Sequence, residues 1–498
     1  MPVAALAETR RAAMLPVLSG SGMKMFINGD WVGAAQDMPV FNPATGSVVD
    51  HVPMGGAEAA DAAIASANCA FSRWKAVPMP ERVRIQKACA HAMRAAAPDI
   101  AATLHAELGR PLPGCLQEID RAADLLDIYA EEGLRLQATF ALGAAPGEKT
   151  IVTRDPVGVV VAITPFNYPI NLLLFKLGAA LIAGCTVVAK PAEDTPLSTL
   201  MLAEIFHRAG LPPGGFNVVT GGRDLGEALV NHPVPRKIAF TGSVPAGKAI
   251  AAAAAGTMKR LTLELGGHSP AIVCADADLD RAAAAITRHG FANSGQFCYR
   301  VNRVYVDRAV YEGFLTLLTQ SAKALTMAPA GGAGDLGPLV NAKIFANSAA
   351  QIADARVRGA RILTGGDRLS GPGYDGGYYL PPTLIADATP DMLVMREETF
   401  GPVLGIAPVD SPAEALALAN DSRFGLAGFV FTRDLARGLA LCEGMEAGSV
   451  WLNDIQRSNH HVPFGGMKES GLGREKGRYG VEAYLEYKVM YLSYEAFP

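Results

Sequence analysis

Cysteine is scarce in this sequence: seven among 498 residues, at positions 69, 89, 115, 185, 274, 298 and 442. No two of them form a CxxC pair and none has zinc-site spacing with histidine, so no metal centre and no disulfide framework is expected. Their scatter fits a reducing compartment in which most thiols are inert and buried. Long apolar runs are missing as well. The longest, VGVVVAI at 157–163 and LGAALIAGCTVVA at 177–189, fall short of the ~18–20 residues a spanning helix needs. Neither sign of charge dominates, with 44 Lys+Arg against 48 Asp+Glu and a net of -4. That balance provides no basic footprint for nucleic acid and no polybasic anchor for a membrane. Residues 1–24 carry Arg10 and Arg11 without a sustained apolar core. Such a leader argues against a secretory signal and leaves a transit-like extension open. A cytoplasmic protein is the expectation.

Apolar residues and glycine are what the chain has in quantity: 50% is hydrophobic, 18% is charged and 53 residues are glycine. A large core is therefore possible, wholesale disorder is excluded, and the length allows roughly three domains at about 150 residues each. MFINGDWV (25–32) and VFNPATGSVVDHVP (40–53) read as short strands broken by turns. Across 56–138 apolar residues recur at helical spacing among Ala, Glu, Arg and Leu. From 157 onward strands and helices alternate: VGVVVAITP, a helix over 170–184, TVVAKP, a helix over 197–209, FNVVTG, a helix over 224–231, KIAFTGS, a helix over 245–256, and RLTLELGG. Repeated β-α-β units predict a parallel sheet covered by helices on both faces. A second series runs from PAIVCAD (270–276) through helices near 278–291 and 309–327 to the strand GPVLGIAPV (401–409). It predicts a second α/β domain with a fixed interface, since no low-complexity linker intervenes. The tail AYLEYKVMYLSY (483–494) alternates without a core of its own, as an edge strand added to a partner does.

Several segments carry candidate chemistry. Ser-Gly-Gln-Phe-Cys-Tyr (294–299) places Cys298 in a polar loop between a helix and a strand. A nucleophilic thiol needs such access, although a lone cysteine is more often a core residue. In LTLELGGHSPAIV (261–273) alternation puts Glu264 opposite Leu263 and Leu265, just before a Gly-Gly turn. It reads as a general base or as a paired edge glutamate. Thr164-Pro165-Phe166-Asn167-Tyr168-Pro169 fixes an Asn amide between two prolines, suited to an oxyanion or to an Asx-turn. Lys190-Pro191-Ala192-Glu193 ends a strand, where a Glu can accept from ribose hydroxyls. Phe240-Thr241-Gly242-Ser243, with Gly247 further on, leads from strand to helix and offers N-terminal amides to a phosphate. Gly221-Gly222-Arg223-Asp224-Leu225-Gly226 is a weaker turn of the same kind. Glu397-Glu398-Thr399-Phe400-Gly401-Pro402 sets an aromatic beside an acid, able to stack on a flat ring and bond a ribose, and PFGGMKESGLGREKGRYG follows at 463–480.

In this order the segments LELGGHSP, GQFC, FTGS, EETFGPV and PFGGMKESG resemble the NAD(P)-dependent aldehyde dehydrogenase superfamily, over essentially the whole chain from about residue 25. The resemblance implies an α/β fold with a Rossmann-type NAD-binding domain (25–137 and 156–266) and an α/β catalytic domain (267–462). It adds a β oligomerisation arm (138–155 and 480–498), and with it a homodimer or homotetramer. It also implies that Cys298 attacks the aldehyde, with the oxyanion held by the Asn167 amide and the Cys298 N–H. Hydride passes to the nicotinamide, and Glu264 activates the water that hydrolyses the thioester. Lys176 matches a position associated with proton relay. Lys190 and Glu193 match the adenine-ribose pair, and a Glu there favours NAD over NADP. Thr164, Phe166, Gly242, Ser243, Gly247 and Leu265 complete the cofactor site, with Glu398 on the nicotinamide ribose and Phe400 against the ring.

The tail YLEYK and NRVYV look like the succinate semialdehyde dehydrogenase branch. Phe175 and Ala292 stand where that branch carries substrate arginines, and Arg300 where it carries a second cysteine. Phe175, Phe297 and Tyr299 would favour an aryl or apolar aldehyde. Arg300, Arg457 and His460–His461 would favour an acidic or hydroxylated one. Two rival functions share the scaffold: a dehydrogenase that passes its acyl group to coenzyme A, and a non-catalytic binding protein. Glu264 argues against the first, and the joint presence of Cys298, Glu264 and Asn167 against the second.

Overall fold

The computed structural model describes residues 23–143, 145–455 and 459–494. The leader expected at 1–24 lies almost wholly outside the described residues, and so does Arg457. The helical stretch resolves into four helices, Ala57–Ala76, Met79–Ala95, Ala97–Leu108 and Leu112–Leu134. Proline sits in the first turn of the last three, where its missing N–H leaves no hydrogen bond unmade. On Leu112–Leu134, Cys115, Ile119, Ala122, Leu126 and Tyr129 recur at helical spacing and are all buried.

Two buried carboxylates tie these helices to the sheet layer. Glu107 accepts from the backbone N–H groups of Leu197 (2.7 Å) and Ser198 (3.1 Å) at the start of helix Leu197–Arg208. Glu118 accepts from Ile170 (3.0 Å) and Asn171 (2.9 Å) at the start of helix Pro169–Ala183. Each satisfies amides that a helix N-terminus leaves without a partner.

The first sheet has eight strands, in the order 30–32, 25–27, 216–218, 186–190, 159–163, 237–241, 260–264 and 471–472. The five from 216–218 to 260–264 are mutually parallel, and antiparallel pairs close both edges. Val159–Ile163, Thr186–Lys190 and Lys237–Thr241 are buried almost throughout, which is why they read as continuous apolar runs rather than alternating ones. Ile163 pairs with Lys190 and with Phe240, and Thr241 pairs with Glu264, so the carboxyl ends of four strands come out level. The strand order reverses at 159–163, and the crevice outside such a switch point is where open α/β sheets bind ligands.

The second sheet has seven strands, 361–364, 383–386, 403–409, 301–307, 269–273, 427–431 and 449–452, parallel except at the 361–364 edge. A third, antiparallel sheet joins Leu485–Ser493 to Glu148–Pro156 and Thr139–Leu142. Phe140, Tyr487 and Tyr491 are exposed on it. Residues 342–357, to which periodicity assigned no element, form a helix whose first turn is capped by the Asn341 side chain accepting from Ile344 N–H (3.1 Å). No helix among the described residues is long and apolar enough to cross a membrane.

Candidate active site

The segment Asn293–Gly295 has three consecutive residues at positive φ (49°, 55° and 75°). Side chains and tight packing hold this strained turn. Ser294 Oγ donates to Gly337 O (2.7 Å), Gln296 Nε2 donates to Asn293 O (3.1 Å), and Gln296 Oε1 accepts from Val340 N–H (3.0 Å). A Cβ on Gly295 would run into the carbonyl of Gly401, so only glycine fits. The turn delivers Cys298, half-buried, to the wall of a cavity of about 470 Å³. Burial raises its thiol pKa well above the ordinary value, with the carboxylates of Glu264 and Glu398 adding to the shift. The backbone N–H groups of Cys298 and Tyr299 act in the opposite sense.

Glu264 ends its strand, buried, and neither carboxylate oxygen has a hydrogen-bond partner among the described residues. Burial, with the Glu475 carboxylate adding, pushes it up to about 8 against the opposing pull of Lys176, Lys476 and Arg474. The Gly-Gly turn after it has a packing reason: a Cβ on Gly267 would strike the Cys298 carbonyl, and one on Gly266 the Glu398 carboxylate. Ser470 Oγ donates to Gly266 O (2.7 Å) and accepts from Gly425 N–H (3.0 Å), pinning that turn from the ESG segment. Lys176 is fully buried on its helix and donates to Thr241 Oγ1 (2.6 Å) and Glu475 Oε1 (2.7 Å). Asn167 Nδ2 donates to Gln296 O (2.9 Å), which ties its loop to the cysteine turn.

Along the level strand ends lie the residues expected to hold a dinucleotide. Thr164 Oγ1 is buried with no partner among the described residues. Lys190 is buried and pairs with the half-exposed Glu193 at 3.1 Å. Gly242 and Ser243 lead into helix Val244–Ala255, whose first turn has no side-chain cap. A Cβ on Gly247 would meet Leu265, so this helix packs close to the strand that carries Glu264. Phe166 and Phe400 meet edge to face at 5.7 Å. Glu398, accepting from Gly267 N–H (2.8 Å), is raised by burial to about 7.

On the far side of Cys298 the cavity is lined by Tyr168, Phe175, Phe297, Tyr299 and Phe464, together with Ala292. Tyr299 stacks with Trp451 (6.1 Å), and Phe297 meets Tyr299 at 5.1 Å. Arg300 is not part of this wall. It is fully buried and donates to the carbonyls of Thr399 (3.2 Å), Gly290 (2.9 Å), Val301 (3.1 Å) and Val403. The expectation that Arg300 anchors an acidic substrate is thereby corrected: it clamps the 399–403 segment instead. His460 packs its ring against Phe175 at 6.3 Å, while His461 is exposed. Two residues within GREKGRYG escaped the sequence reading: Glu475, the partner of Lys176, and Lys476, which lines the cavity. Two adjacent charged residues of this kind, followed by glycine late in a glycine-rich run, were the available signal. Among the described residues no cluster of His, Cys, Asp and Glu suits a metal ion.

A doubly wound sheet with open strand ends, facing a second sheet that presents a thiol across the gap, defines a dinucleotide-dependent oxidoreductase of the aldehyde dehydrogenase type. The chain belongs to the aldehyde dehydrogenase family, whose model matches residues 31–490. It is 40% identical over 471 residues to the glutarate-semialdehyde dehydrogenase of Pseudomonas aeruginosa, covering 94% of this chain and 97% of that one. It is 41% identical over 468 residues to the succinate-semialdehyde dehydrogenase [NADP(+)] of Escherichia coli, covering 93% and 96%. The crystal structure of an NADP-dependent enzyme from E. coli superposes with a TM-score of 0.91 at 40% identity, over 95% of this chain and 98% of that one. This protein is an NAD(P)-dependent oxidoreductase that acts on aldehydes.

Proposed function

We propose that the chain oxidises an aldehyde to the carboxylic acid with NAD, through a thioester on Cys298. The observation that carries this reading is the pairing of a half-buried thiol at the cavity with a buried carboxylate, Glu264, pushed to about 8 and without a hydrogen-bond partner among the described residues. A carboxylate in that state is a base waiting for water. Cys298 gives up its thiol proton to solvent as Sγ adds to the aldehyde carbon. Asn167 has two amide hydrogens, and the one not given to Gln296 O, with the Cys298 N–H, stabilises the oxyanion. Glu264 then takes a proton from the water that attacks the thioester. The Lys176–Glu475 pair beside it offers that proton a route onward. Hydrolysis by Glu264 makes transfer to coenzyme A superfluous.

The residues at the strand ends fit a dinucleotide. The orphaned Thr164 hydroxyl, the uncapped amides after Ser243 and the close helix packing at Gly247 together make a cradle for a pyrophosphate. When bound, the nicotinamide accepts the hydride. Glu193 accepts from ribose hydroxyls, and its charge opposes a 2′-phosphate, which supports NAD even though an E. coli relative is named for NADP(+). The exposed strand Leu485–Ser493 supports pairing between subunits, as a homodimer or homotetramer. A thiol that must stay reduced fits a cytoplasmic setting.

The test is initial NADH and NADPH formation over aryl, aliphatic, hydroxylated and carboxylated aldehydes, for the native chain and Cys298→Ala. The expected outcome is turnover with NAD ahead of NADP, lost in Cys298→Ala while NAD binding persists. A Cys298→Ala enzyme that still forms acid would overturn the assignment.

A further inference from the structure

The cavity beside Cys298 is not electrically neutral. Four cationic side chains, Arg110, Arg121, Arg288 and Lys476, line it against two carboxylates, Glu118 and Asp335. Arg110 pairs with Glu118 and lies over the Tyr168 ring at 4.5 Å, and Arg288 pairs with Asp454 at 3.1 Å.

Lys476 is built differently. It is 2% exposed, yet its ammonium sits at the cavity between two aromatic faces, 4.7 Å from the Phe175 ring centroid and 4.4 Å from that of Phe464. Ring quadrupoles favour the charged ammonium at such distances. Its backbone is at φ 70°, a conformation that L side chains seldom adopt and glycine adopts freely. Burying a lysine costs free energy, and so does bending its backbone this way; both work against stability. Strain of this kind concentrates at ligand-binding positions. Burial, with Arg121 adding, pulls the amine down to about 8, against the charges of Glu264, Glu475 and Cys298, which hold it up. It is therefore largely cationic near pH 7, within electrostatic reach of the thiol.

We propose that Lys476, with Arg121 beside it, is the specificity determinant that receives the carboxylate at the far end of an aldehyde substrate. This rests on the reading of Cys298 as nucleophile. The substrate class is a small semialdehyde: the aldehyde carbon goes to Cys298, the carboxylate goes to Lys476, and the chain between them lies along Phe175 and Phe464. The aromatic wall thus packs the spacer rather than an aryl group. Arg300 and its four carbonyl partners take no part.

The experiment compares 4-oxobutanoate with butanal in the native chain, Lys476→Met and Lys476→Gly. Methionine keeps the length and removes the charge, and glycine suits the backbone angle, so at least one variant folds. The native chain should prefer 4-oxobutanoate. In both variants the ratio of kcat/KM for 4-oxobutanoate over butanal should fall about tenfold or more, with the loss in KM. A native chain without that preference, or variants that retain it, would overturn the proposal. A second readout needs no turnover: protection of Cys298 from iodoacetamide by succinate, with butyramide as the neutral control. Protection by succinate in the native chain and its loss in the variants sustain the anion site even if no aldehyde is oxidised, in which case the mechanism above is what fails. Equal protection in all three chains, or none in any, removes the anion site.

Discussion

At the scale of single residues, the proposed mechanism makes Glu264 set the pH behaviour. Burial lifts it to about 8, and a general base acts in the ionised form. Thioester hydrolysis should therefore be slow at neutral pH and rise as pH increases through about 8, measured as the steady-state rate against pH. Glu264→Gln should remove that rise and slow the steady state about a hundredfold, while the first turnover still yields a burst of NADH. The places of Glu264 and Cys298 were legible in the sequence because they follow from local rules, a strand end before Gly-Gly and a polar loop between helix and strand. Arg300 was misread for an equally local reason. A cation two residues from the nucleophile suggests an anchor, but neighbouring side chains at the start of a strand take opposite sides. Tyr299 faces the cavity, and Arg300 turns to the carbonyls of 290 and 399–403. Lys476 was invisible because the cavity it lines is shared with residues 110–121, more than three hundred positions earlier.

At the scale of elements, the cysteine turn is the most exposed to damage. Gly295 is at φ 75° with the Gly401 carbonyl against the place a Cβ would occupy. Gly295→Ala combines left-handed strain with a backbone clash and should destabilise the protein by about 2 kcal/mol or more. Thermal denaturation would read this as a lower Tm, with a matching loss of kcat because Cys298 shifts with the turn. The parallel strands at 159–163, 186–190 and 237–241 were easy to read, since a continuous apolar run bounded by turns suits a buried strand and is too short for a buried helix. Helix 342–357 was not. Its sequence is dominated by alanine and polar residues, and only Ser348, Gln351, Ile352 and Ala355 are buried, too few to print an apolar stripe.

At the scale of the whole molecule, the three-stranded sheet carries exposed aromatic surface. Phe140 is 71% exposed, Tyr487 69% and Tyr491 82%, and both outer strands offer unpaired edges. A strand of nine residues with such side chains is a template for another chain. Tyr491→Glu placed on it should weaken self-association, and light scattering after gel filtration should show a smaller particle than the native chain gives.

The Lys176–Glu475 bond spans 299 residues of sequence, and Glu264 pairs with Gly471, more than two hundred positions later. A ribosome releases the N-terminal end first, at roughly 5–20 residues per second. Lys176 is therefore made about a quarter of a minute or more before its partner exists, and the edge beside Glu264, once made, stays unpaired until 471–472 follow. The contacts around Lys176 and Glu264 are thus completed only once the 471–475 segment has been made.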